Sequence, residues 1–467
     1  MAEDLCLKLK NGTQLFVPNR LDAITTYVIL EQERWFEKEW GFVEHLLQPG
    51  MVAIDIGANL GIFSMAMAKA VGATGKVYAY EPTSETRARL EKSKAVNSAG
   101  NLDVIGSALS DTEREGRIVF GASSELNRLV DDGQGSGEAV HLTSLDLEKK
   151  RHGWGEIDFI KMDAEGEELK IVAGGRSVFE ADSPVVMFEI RSETGVDLGI
   201  GTAFQAIGYG LYRLLPDERH LVPFESAELD EFELNVFAIK PDRASDLAAR
   251  GLLAEDGETA VPGDWQRFVA TRNFGPVFPG LFDTPVSPGA YADGLAAYAG
   301  WRDELRSAGS RYAALRESVD LFETAAAETR DVSRLLSLAR AKLDAGRRVE
   351  GNRCMVEALQ LLGTGQMPKA PFLPPTLRHE RLGGLARGWL ETACLEVIER
   401  NRTFSSYYGP AIEQLDWVCR TNFATYELER RRVLSAVRRG QNVQLRKDLG
   451  KPAPDHLNAE AWAKLIG

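Results

Sequence analysis

The stretch Ala53-Ile-Asp-Ile-Gly-Ala-Asn-Leu-Gly61 decides the fold. Val52–Ile56 is a short apolar run that predicts a buried strand, and Ile62–Val71 carries apolar residues at helical spacing. Between them lies a glycine turn, and strand–turn–helix is how a nucleotide-binding unit begins. A dinucleotide fingerprint needs a second glycine two residues after the first, but Asn59 stands there. A phosphate loop needs Gly-Lys-Ser/Thr, which is absent. The wider glycine spacing suits a ligand without pyrophosphate, whose ribose and amino-acid tail are all the backbone must approach. Gly57 lets the chain turn sharply off the strand, and Gly61 lets the helix start lie against the ligand. Asp55, at the strand end, is placed to receive the ligand's ammonium directly or through water.

Working outward, further apolar runs follow at Lys76–Tyr80, Leu102–Ile105, Ile157–Lys161, Val185–Glu189 and Leu234–Lys240, with a charged helix from Ser84 to Asn97. Short strands separated by helical crossovers predict a parallel sheet covered on both faces. The last two runs bracket Gly208–Leu215 too closely for a crossover, so an antiparallel pair is expected to finish the sheet. Ligands of such sheets bind beyond the carboxyl ends of the strands. Asp55, Glu81, the turn Gly106-Ser107-Ala108, Asp163 and Glu189 all fall at expected strand ends. Glu81 lies about 20 residues beyond the glycine turn, where a carboxylate grips a ribose diol with both oxygens. Asp55, Gly57, Asn59, Gly61, Glu81, Ser107 and Ala108 are therefore the expected cofactor-binding set.

After Pro241 the texture changes. Residues 246–290 are rich in Gly and Pro and predict an irregular connector between a domain at 1–245 and one at 291–467. The latter is dominated by Ala, Leu, Glu and Arg at helical spacing, which predicts an all-α domain. One tetratricopeptide-like helical hairpin is expected near 332–362, with Gly346 as the helix stop, and no second copy recurs at a fixed period.

The chain has 467 residues and a formal net charge of −14, which argues against a general nucleic-acid binder. Its four cysteines show no metal spacing and are expected to be reduced. No secretory signal or membrane span is expected, so the cytoplasm is the default location. The basic stretch Arg430-Arg-Arg432, Arg438-Arg439 and Arg446-Lys447 is more simply an internally paired face than a peripheral membrane contact.

Taken together, Asp55–Ser64, Tyr80-Glu-Pro82 with Asn97, Ile157-Asp-Phe-Ile-Lys-Met-Asp-Ala-Glu-Gly-Glu167 and Val185–Ile190 resemble the FkbM-type methyltransferases. The lead-in Leu30–Glu37 and Leu47-Gln-Pro-Gly50 also look like that family, and the resemblance covers about residues 20–240. It implies a Rossmann-like class I methyltransferase fold, doubly wound, with a mostly parallel seven-stranded sheet, followed here by the all-α C-terminal domain. It also implies S-adenosylmethionine as cofactor and methyl transfer to a hydroxyl oxygen of a glycan or glycosylated metabolite.

A protonated hydroxyl is a poor nucleophile, so a base or a metal must assist. Asp163 and Glu165 are the preferred bases, and with Glu189 the same cluster has the chemistry to hold Mg2+. Glu167 and Glu168 also suit a helix N-terminus for structural reasons. His141 and His152 flank the polar segment 131–137, expected as a loop over the acceptor, and read first as solvated loop histidines. Arg191 is placed either to orient an anionic acceptor or to pair with Glu193. Trp35, Phe36 and Trp40 bury the lead-in helix or stack on a sugar. Two other functions fit the same residues. One is a protein or amine methyltransferase recruited through the helical domain. The other is a cofactor-binding scaffold whose helical half binds a protein partner.

Overall fold

The structure, a computed structural model, describes residues 3–119, 128–131, 137–164, 166–192, 195–230, 233–255, 257–270, 275–375, 386–401, 405–409, 413–421, 424, 426–441 and 456–466. The chain divides into two compact units. The first comprises Met1–Leu214, Glu233–Arg250 and Asp455–Gly467; the second comprises Leu215–Phe232 and Gly251–Pro454.

The central sheet has eight strands rather than the expected seven, the edge strand Leu221–Pro223 being the addition, and the first unit supplies the other seven: β1 Val52–Ile56, β2 Lys76–Tyr80, β3 Leu102–Ile105, β4 Phe159–Met162, β5 Val185–Glu189, β6 Gly210–Leu214 and β7 Asn235–Ile239. Their order is β6-β7-β5-β4-β1-β2-β3. β1 to β5 run parallel, and β7 runs antiparallel to both β5 and β6. The chain therefore starts at the centre, works outward through β2 and β3, and returns to the other side of β1. That reversal between β1 and β4 makes a crevice beyond their carboxyl ends. β4 and β7 are buried along their whole length, as strands covered on both faces must be.

Helices α1 Lys38–Leu46, α2 Ile62–Val71 and α3 Ser84–Val96 are those nearest the glycine turn in sequence. α2 is almost wholly buried and packs against β1 and β2. A hairpin of Leu5–Lys8 with Gln14–Val17 precedes a buried helix at Ile24–Gln32. The expected lead-in helix is broken: Glu33 turns left-handed at φ 58°, and the chain restarts as α1.

A second sheet was not expected. Ser107–Ser110, Glu138–Ser144, Arg114–Val119 and Arg128–Asp131 pair in that order. Most of the expected loop at 131–137 lies outside the described residues.

In the second unit, Ala290–Trp301, Ala308–Glu328, Val332–Asp344, Arg348–Gly363 and Ala386–Asn401 enclose a core around Trp301, Phe322 and Trp389. The expected hairpin is present, with Gly346 at φ 85° between its helices. Residues 246–290 differ from a bare connector. They contain the helix Trp265–Ala270, and Trp265, Val269, Val277 and Phe278 join this core. A run rich in Gly and Pro can still place large apolar side chains where burial stabilises them, by about 1.5–3 kcal/mol each.

Candidate active site

Gly57 turns at φ 73°, and its N–H donates to the Tyr80 carbonyl at 3.1 Å, as does that of Ala58 at 3.0 Å. A Cβ on Gly57 would stand 1.8 Å from the Asp163 carbonyl oxygen, so only glycine lets the ends of β1 and β4 come this close. Asn59 is held at φ 47°, a left-handed value that asparagine tolerates better than most residues. Gly61, at φ 88°, has a different reason from the expected one. Its missing Cβ would meet Leu90 Cδ1 of α3 at 2.2 Å, so the position is set by packing between α2 and α3.

Glu81 extends from the end of β2. Its Oε2 accepts the Asn59 N–H at 2.9 Å and its Oε1 the Thr83 N–H at 2.8 Å. Each oxygen keeps a further lone pair for a ligand. Burial pushes its carboxyl up to about 7 against these hydrogen bonds. Ser107 and Ala108 follow the end of β3, but as the first residues of the second sheet, with Ser107 opposite His141. Beside them the Arg87 guanidinium fills the space where Gly106 lacks a Cβ.

At the crevice the register sets Lys161 of β4 opposite Asp55 of β1. Lys161 Nζ donates to Asp163 Oδ2 at 2.9 Å and lies 3.8 Å from Asp55 Oδ1. Burial opposes its charge, but Asp163, Asp55 and Glu37 together keep it protonated, above the ordinary lysine value. Asp55 is fully enclosed, and Ser64 Oγ donates to its Oδ2 at 2.5 Å. Among the described residues its Oδ1 has no hydrogen-bond partner, and neither does the buried Oδ1 of Asn59. Asp55 therefore presents no exposed oxygen at the crevice. Asp163, 38% exposed at its side chain, presents the accessible carboxylate.

Glu165 lies outside the described residues. Glu167 and Glu168 are structural. Glu167 accepts from Ser110 Oγ at 2.6 Å and Lys170 Nζ at 2.7 Å. Glu168 accepts the N–H groups of Ala164 and Gly166, at 2.9 and 3.0 Å. The histidines point elsewhere: His141 pairs with Glu113 and Glu115, and His152 binds Glu148 and stacks on Trp154. Arg191 donates to the Glu233 carbonyl at 2.7 Å, and Glu193 lies outside the described residues. Among the described residues no group of three His, Cys, Asp or Glu side chains is arranged to hold a metal.

Sequence reasoning missed Glu37. Its Oε1 accepts the Trp35 indole N–H at 2.7 Å and its Oε2 the Asn235 amide at 2.9 Å. Asn235 begins β7 opposite Glu189, so Glu37 is fixed at the carboxyl edge of the sheet. Burial raises its carboxyl above the ordinary value, and Lys161 opposes that rise. The signal in sequence was faint: a glutamate beside a tryptophan, 18 residues ahead of Asp55. A groove of about 670 Å³, lined by Lys69, Lys76, Asn97 and Asn101 among others, lies at the opposite edge. Its polar groups are committed, Asn97 to Gln14 and Asn101 to the Ala68 and Gly72 carbonyls.

Residues 55–205 match the family model described as the methyltransferase FkbM domain. A curated protein, the AMB antimetabolite synthetase AmbE of Pseudomonas aeruginosa, is 37% identical over 75 residues, which are 16% of this chain and 3% of that protein. Among solved structures, the methyltransferase FkbM of Methylobacillus flagellatus is 17% identical, with a TM-score of 0.28 over 43% of this chain and 50% of that one. An S-adenosylmethionine-dependent O-methyltransferase of Thermotoga maritima is 15% identical, with a TM-score of 0.27 over 50% of this chain and 77% of that one. The chain thus spans about 3% of the curated relative and half of the FkbM structure. No helix among the described residues is long and apolar enough to cross a membrane.

Proposed function

We propose that the protein, whose residues 55–205 match the methyltransferase FkbM domain, moves a methyl group from S-adenosylmethionine to a hydroxyl oxygen of a glycan or glycosylated metabolite. The observation that carries the cofactor assignment is the pairing at the glycine turn. Glu81 is tethered to the Asn59 N–H, and the buried Oδ1 atoms of Asn59 and Asp55 lack partners among the described residues. Buried polar atoms without partners cost stability, and a site that keeps them is arranged for a ligand that supplies them.

Glu81 would hold the ribose hydroxyls, while Gly57 and Asn59 let the backbone approach the ligand. Lys161 and Asp55 form the charged floor beneath the amino-acid tail. When bound, the cofactor supplies an electrophilic methyl on a sulfonium. The remaining tasks are alignment and removal of the hydroxyl proton. Asp163 carries the accessible carboxylate at the β4 end and would take that proton as the oxygen–carbon bond forms. Its ion pair with Lys161 fixes its direction.

Methyl-tritiated S-adenosylmethionine, incubated with the enzyme and a cell extract, would be followed into protein, lipid-linked glycan and small-molecule fractions. The proposal expects label in glycan or glycosylated metabolite, lost on Asp163→Asn. Label confined to protein and stable to deglycosylation would replace the sugar acceptor with a protein one.

A further inference from the structure

We propose that Glu37 belongs to the cofactor pocket and makes it select the positively charged sulfonium of S-adenosylmethionine over the neutral thioether of S-adenosylhomocysteine. This rests on the S-adenosylmethionine reading of the same site.

Lys161 is surrounded by three carboxylates: Asp163 at 2.9 Å, Asp55 at 3.8 Å, and Glu37, whose charge also acts on it. One enclosed cation against three acids leaves the pocket short of positive charge. The neighbouring Lys38 does not make up the difference, because its Nζ is engaged by Glu233 Oε1 at 2.5 Å and the Leu214 carbonyl at 2.7 Å. Burial pushes the Asp55 and Glu37 carboxyls up toward their neutral forms, whereas a ligand cation beside them favours the ionised forms. Independently, the fully buried Asp55 Oδ1 faces Lys161 with no hydrogen-bond partner among the described residues.

Geometry then separates the three acids. Asp55 and Asp163 both face Lys161 within ion-pair distance, at 3.8 and 2.9 Å, and Asp55 also accepts from Ser64 beneath the turn. Glu37 is instead oriented by two neutral donors, Trp35 Nε1 and Asn235 Nδ2. Neutral donors fix a carboxylate's direction without cancelling its charge. Its field is therefore free to act on a cation at the carboxyl edge. Methyl transfer removes that cation: the carbon–sulfur bonding pair stays on sulfur, which becomes a neutral thioether. A pocket that holds the substrate cofactor by charge thereby loosens its grip on the product.

Calorimetric titration of the full chain with S-adenosylmethionine and, separately, S-adenosylhomocysteine tests this. Glu37→Gln keeps the shape and removes the charge. The expected result is roughly tenfold weaker binding of S-adenosylmethionine with S-adenosylhomocysteine unchanged, which corresponds to about 1.4 kcal/mol. Trp35→Phe removes only one orienting hydrogen bond and is expected to lower the same ratio by a smaller factor. It carries the test if Glu37→Gln does not fold. An unchanged ratio in both variants, or equal weakening of both ligands, would overturn the proposal and leave Glu37 a structural residue. Failure of the unaltered protein to bind either ligand would instead overturn the cofactor reading on which it stands.

Discussion

Gly57 and Glu81 carry the most specific demands at the residue scale. A Cβ at Gly57 would lie 1.8 Å from a backbone oxygen of β4, an approach no side-chain motion relieves. Gly57→Ala is therefore expected to push β4 away from β1 and to lower S-adenosylmethionine affinity at least tenfold, as read by calorimetry. Glu81 must be ionised to accept two hydroxyls, and its carboxyl sits at about 7. Affinity should accordingly be full above that pH and fall by up to about tenfold per unit below it. Glu81→Gln should bind weakly at every pH and lose the dependence. Glu39 gives a stability prediction. It is buried, its Oε1 has no hydrogen bond among the described residues and lies 3.9 Å from Lys38 Nζ, and burial raises its carboxyl to about 8, with Lys38 opposing. A carboxyl raised in the folded state contributes stability that is full below its unfolded value, about 4.3, and is lost as pH rises through the folded one. Thermal unfolding should show Glu39→Gln less sensitive to pH across that window than the unaltered protein, and the more stable of the two above pH 8.

At the scale of elements, the turn from Asp163 to Glu168 joins chemistry to scaffold. Glu168 holds it by accepting two backbone N–H groups, so Glu168→Ala should cost about 1 kcal/mol in denaturant unfolding, as the loss of a helix cap does. The core strands were legible because burial on both faces writes itself as short, mostly apolar runs, as in Val52–Ile56 and Val185–Phe188. The second sheet was not, because Arg114–Val119 reads Arg-Glu-Gly-Arg-Ile-Val, with neither an apolar run nor a regular alternation to mark a strand. Asp55, Asn59, Glu81 and Asp163 could be singled out in the sequence because motif spacing is local. Glu37 was missed because its partner Asn235 is 198 residues away. Gly61 was identified as a glycine position, but α3, whose Leu90 demands it, is a tertiary neighbour.

On the scale of the whole molecule, the ends of the chain meet within the first unit. Asn458 exchanges hydrogen bonds with the Lys8 backbone, while His456 Nε2 and Trp462 Nε1 reach the Leu30 carbonyl. Truncation near residue 245 therefore removes part of the methyltransferase unit itself. A 1–250 fragment should melt below the full chain, and Trp462→Ala in the full chain should lower the midpoint in the same direction. In the basic stretch near the end, Arg431 lies 3.1 Å from Glu399 and Arg432 2.5 Å from Glu429, while Arg446-Lys447 lie outside the described residues. Everything said about chemistry nevertheless turns on one ligand at the glycine turn. Calorimetric titration of the full chain with S-adenosylmethionine, repeated on Glu81→Ala, tests that most directly. Saturable one-to-one binding that falls at least tenfold in the variant is the predicted result; no binding to the unaltered protein, or equal binding to both, would contradict it.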